Sequence, residues 1–153
     1  MLLRHNFKEK YLAKWGQTKW LVLSSSFLLL PAAYAYNKKL YFHSGLLVAT
    51  SLISANYWRK ATYSWRRIID IIFAKISFSI FFIQGIMYIK YVPHLVFTYP
   101  ITLFIFSSYN LSNNLFEFRS NRWYKYHFTF HTLMTIQIFL ILNNLEAKSS
   151  INI

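Results

Sequence analysis

Cysteine is absent from this chain of 153 residues, and glycine and proline occur only three times each. Without thiols there is no disulfide framework, no thiolate metal site and no lipidated cysteine. Gly16, Gly45 and Gly85 are too few and too scattered for a phosphate-cradling loop or a dinucleotide fingerprint, which sets nucleotide-dependent chemistry aside. Acid is nearly as scarce: Glu9, Asp70, Glu117 and Glu146 stand against seventeen Lys and Arg. Charged residues of both signs reach only 14%, where a soluble domain carries about 25%. So little charge cannot easily cover a water-facing surface.

What the chain has instead is apolar length. Hydrophobic residues make up 56%, and they gather in five runs at about 20–36, 40–58, 68–89, 92–109 and 124–142. Each is near the ~20 residues that cross a ~30 Å hydrocarbon core as a helix. The pattern predicts an all-α polytopic membrane protein: residues 1–153 as one transmembrane domain, a bundle of five helices preceded by a basic amphipathic helix. In that helix Leu3, Phe7, Tyr11 and Trp15 recur at spacing four, with Arg4, Lys8, Lys10 and Lys14 elsewhere on its surface. No cleavage site follows a short apolar core, so the first run reads as an uncleaved span.

The net charge of +13 would suggest nucleic acid in a soluble protein, but its distribution is that of a topology signal. With the amino terminus inside, Arg4, Lys8, Lys10, Lys14, Lys19, Arg59, Lys60, Arg66, Arg67, Arg119, Arg122 and Lys125 all fall inside. Outside lie Lys38, Lys39, Lys90 and Lys148, while Lys75 sits within a span as a snorkelling side chain. The expectation is therefore N-terminus inside and C-terminus outside, with the basic side against an anionic inner leaflet and no nucleic acid as partner. A mitochondrial inner membrane and an endomembrane both suit such a protein.

Punctuation refines the spans. Pro31 predicts a kink in the first, with Ser24, Ser25 and Ser26 at hand to satisfy freed backbone groups. Ser44, Ser51 and Ala55, beside Gly45 and Ala49, give the second span a small-residue face for close packing. Pro93 marks the next outer turn and Pro100 a bend in the fourth span. The Asn- and Ser-rich stretch 110–124 reads as the longest loop.

Few residues could carry chemistry. Asp70 opens the third span, and it either pairs with Arg66 or Arg67 at the interface or faces inward with Ala74, Ser77 and Gln84. His127 and His131, four apart, put two imidazoles on one helix face as a shared metal ion requires. The topology places Ser54, Asp70, His127 and His131 on one membrane side, His43 and His94 on the other, and His5 on the near side.

The stretches S-A-N-Y-W (54–58), R-R-I-I-D-I-I-F-A (66–74) and H-F-T-F-H-T-L (127–133) resemble the superfamily of alkaline ceramidases, adiponectin-receptor-like proteins and GPI-lipid remodelling hydrolases. That resemblance implies a zinc site with His127, His131 and Asp70 as metal ligands, Asp70 also acting on a metal-bound water, and Ser54 as a catalytic partner at the developing oxyanion. It implies hydrolysis of a membrane lipid amide or ester. Two departures stand beside it: Trp58 occupies the place of the first zinc-binding histidine, and the chain has five spans where the superfamily has seven. The readings carried forward are a degenerate, non-catalytic relative needing no cofactor, an accessory subunit with other membrane subunits as partners, a zinc hydrolase, and a small transporter or channel component.

Overall fold

The computed structural model describes residues 12–89 and 92–149. Six helices follow one another: α1 Trp15–Ser26, α2 Leu29–Asn37, α3 Tyr41–Arg59, α4 Trp65–Tyr88, α5 Val92–Glu117 and α6 Trp123–Ser149. No strand occurs among the described residues. Among the described residues, two stretches are long and apolar enough to cross a membrane, the 24 residues Trp65–Tyr88 and the 23 residues Trp123–Leu145. The five-span expectation meets that standard only in these two. α1 and α2 are short because the first run is broken, and α3 and α5 carry serines, asparagines and tyrosines that dilute their apolar content. The amino-terminal amphipathic helix, with His5, lies outside the described residues, apart from its last positions.

The break between α1 and α2 falls where Pro31 demands it. Proline has no N–H to give the Phe27 carbonyl four residues back, and its ring crowds that oxygen. The Phe27 carbonyl instead accepts the Leu30 N–H at 3.1 Å. The Ser25 carbonyl takes the Leu28 N–H at 3.3 Å and the Ser51 hydroxyl of α3 at 2.9 Å. The small-residue face of α3 thus closes on the break and supplies a donor to its backbone.

The stretch 110–124 corrects the expectation of a long loop. α5 runs on through Asn110 to Glu117, and only a short turn separates it from α6. Its end is a Schellman motif: the Ser120 N–H bonds the Leu115 carbonyl at 2.9 Å, and the Arg119 N–H bonds the Phe116 carbonyl at 3.0 Å. The same motif ends α2, where the Leu40 and Lys39 N–H groups bond the Ala35 and Tyr36 carbonyls, each at 2.9 Å. Pro100, expected to bend its span, lies inside the continuous α5.

Alternating helix directions give the bundle two poles, each with its own core. Leu21, Tyr57, Trp58, Ala61 and Trp123 cluster at the pole where α1, α4 and α6 begin. Ala32, Ala35, Leu47, Phe81, Ile89, Ile138, Ile141 and Leu142 cluster at the other. Lys14, Lys19, Arg59, Lys60, Arg66, Arg67, Arg119, Arg122 and Lys125 all belong to the first pole, which is the basic pole. α3 packs against α1, α2 and α4, and α6 packs against α1, α2, α4 and α5.

Candidate functional site

A cavity of about 340 Å3 lies just inside the basic pole. α4 and α5 both lean on α6 but are not a principal packing pair themselves, so a seam separates them. Phe78 and Phe82 of α4 meet Phe106 of α5, with ring centroids 5.7 and 6.5 Å apart, and close the seam toward the far pole. Nearer the basic pole the seam opens onto the cavity past Ile71 and Lys75 on one lip and Tyr109 on the other, all exposed.

Ser54, Asp70, His127 and His131 all line this cavity. Helical period explains three of the positions. Asp70, Ser77 and Gln84 recur at spacing seven on α4 and turn to the bundle, with Asp70 only 8% exposed. The Ser54 hydroxyl stands beside its carboxyl. Arg66 lies instead over the Trp65 ring and Arg67 over the Tyr63 ring, 5.9 and 5.4 Å from their centroids. Of the two readings of Asp70, the inward-facing one describes this structure, except that Ala74, expected on the same face, is exposed.

His127 and His131 lie one turn apart on α6, ring centroids 4.8 Å apart. Each has its Nδ1 engaged by a serine from a different helix: His127 with Ser112 of α5 at 3.2 Å, His131 with Ser24 of α1 at 2.8 Å. Trp58 packs against His127 at 5.0 Å between centroids, edge to face, and reaches Trp123 at 5.9 Å. The Trp58 indole N–H is buried and has no hydrogen-bond partner.

Among the described residues, no three His, Asp or Glu side chains stand close enough to hold one metal ion. The pole offers a histidine pair and a Ser54–Asp70 pair around one cavity, which does not fit the three-donor shell of catalytic zinc. His43 lies toward the other pole, bonded to Gln84, with 2.8 Å from the Gln84 Nε2 to its own Nε2. His94 falls in the first turn of α5, also at that pole.

Three site residues escaped the sequence reading. Ser24 was visible only as relief for the Pro31 break, and Ser112 sat in a presumed loop. Lys75 was read as snorkelling, yet it lines the cavity with Arg67. The usable signal was spacing: Ser112 falls in register with Ile105 and Ser108 on the buried face of α5. No protein-family model matches the chain, and no curated protein or solved structure matches it.

Proposed function

We propose that this is a small polytopic membrane protein, its five helical rods crossing the bilayer with the basic pole inside, and that it is a degenerate, non-catalytic relative of the membrane metal-hydrolase scaffold. Its cavity holds an amphiphile admitted through the seam between α4 and α5. The observation that carries this reading is Trp58 packed on His127 in the position that the resemblance assigns to a zinc-binding histidine. An indole donates a hydrogen bond but cannot ligate a metal, and its bulk fills the space a third ligand would need. The cavity itself supports a binding role. About 340 Å3 falls within the range of small-ligand sites, which are mostly apolar with a few polar groups that converge. Phe78, Phe106, Phe130 and Ile71 supply the apolar wall, and Ser54, Asp70, His127 and His131 the polar end.

Metal content tests this. The full chain, purified in mild detergent and equilibrated with zinc, is expected to retain far less than one zinc per chain. Trp58→His is expected to retain about one, since three protein ligands make a zinc site. Stoichiometric zinc in the wild type, lost in a His127→Ala, His131→Ala double variant, would favour the hydrolase reading instead. A Trp58→His chain that stays metal-free would remove the likeness to the scaffold.

A further inference from the structure

The Ser24 hydroxyl has one proton and two neighbours. It lies 3.2 Å from the Leu21 carbonyl oxygen and 2.8 Å from the His131 Nδ1, and Ser24 is fully buried. A carbonyl oxygen can only accept. Of the two tautomers, only the Nδ1–H form lets both contacts be hydrogen bonds, with Ser24 donating to Leu21 and His131 donating its Nδ1–H to Ser24. In that form Nε2 carries a lone pair. The Nε2 atom takes no hydrogen bond and is not sealed in, for the buried polar atoms without a partner are Trp58 Nε1, Ser64 Oγ and Thr98 Oγ1. The His131 ring lines the cavity.

We propose that Ser24 fixes His131 as its Nδ1–H tautomer, so that the bare Nε2 accepts a hydrogen bond from a hydroxyl of a neutral amphiphile held in the cavity. His131 is the binding residue and Ser24 a positioning residue. A lone pair in a largely apolar cavity selects a donor; the neighbouring His127 ring, 4.8 Å away between centroids, has its own Nδ1 at Ser112. The Asp70 carboxyl stands beside Ser54, Arg67 lies over Tyr63, and Lys75 is exposed on the lip of the seam. The inference deepens the binding role proposed above and rests on it for the occupant, whereas the tautomer stands or falls by itself.

The test uses the full chain with 15N-labelled histidine in detergent micelles, metal-free, at about pH 8, above the range in which a free imidazole titrates. His131→Gln assigns the resonances. The ring proton of His131 is expected on Nδ1 in the wild type and displaced to Nε2 in Ser24→Ala. Ser25→Ala is the control: Ser25 also bonds the Leu21 carbonyl, at 2.7 Å, without touching His131, and it should leave the tautomer unchanged. A long-chain monoacylglycerol should then move the His131 Nε2 resonance saturably, with about tenfold weaker binding in Ser24→Ala, the worth of one hydrogen bond. Its dimethyl ether, which has no donor, should not move it. An Nε2–H tautomer in the wild type, a Ser24→Ala chain with unchanged tautomer, or equal binding of the ether overturns the proposal. Because the sample is metal-free, stoichiometric zinc in the separate metal assay would sink the non-catalytic reading without touching the tautomer result.

Discussion

Arg119 holds its backbone at φ 53° and Lys39 at φ 59°, in the left-handed region that Cβ disfavours by roughly 1–2 kcal/mol. Each caps a helix by a Schellman motif, the setting in which glycine is usual. Arg119 is exposed on the short turn into α6, so glycine there removes strain without opening a hole. Arg119→Gly is expected to stabilise the protein by about 0.5 kcal/mol, the relief of strain less the extra backbone entropy of glycine. Denaturant titration in micelles, followed by helical circular dichroism, measures it, and a destabilised variant would show that the Arg119 side chain matters more than its backbone. At this scale much of the site was legible. Charge alternation and helical period put Ser54, Asp70, His127 and His131 on one side of the expected membrane, and all four line one cavity. The serines that orient the imidazoles were not legible, because a serine in an apolar helix looks the same whether it bonds its own backbone or another helix.

Between elements, α3 and α4 are joined by polar rungs. Ser54 stands beside Asp70, the Thr50 and Ser77 hydroxyls lie 2.6 Å apart, and His43 meets Gln84 toward the other pole. Buried Leu47 and Phe81 lie between the second rung and the third, so the rungs set register without forming a continuous polar track. Interhelical hydrogen bonds of this kind are worth about 0.6 kcal/mol in a membrane, because the separated helices also find partners. Ser77→Ala is expected to cost about that much in an equilibrium unfolding measurement; a loss several times larger would mean that the rung governs the packing of the whole pair. The element that sequence reading misjudged was the end of α5. Asn and Ser favour turns because their side chains compete for the backbone, yet in 110–117 the buried face at Ile105, Ser108 and Ser112 continues against α6 and keeps the chain helical. Tertiary packing overrode local preference there, and the expected loop hid Ser112.

For the molecule as a whole, the basic pole and the site are the same end of the bundle. A cluster of cations at one end suits an anionic leaflet, and in the proposed orientation the mouth of the cavity would lie at headgroup depth. Phe97, Leu103 and Phe104 on α5 and Ile72, Ile83 and Ile86 on α4 are exposed; with those faces against lipid, as proposed, the seam between α4 and α5 would be a lateral entrance. The absence of native cysteine allows this orientation to be read directly. Lys125→Cys at the basic pole and Lys38→Cys at the other, both exposed, each give a chain with a single thiol. In sealed vesicles a membrane-impermeant maleimide is expected to label one and spare the other, with Lys125→Cys on the inner side, and to label both once detergent opens the vesicles. Equal labelling of both in sealed vesicles would place the two poles on one face of the membrane. The helices would then lie along the bilayer, and the seam would no longer be an entrance from the inner leaflet.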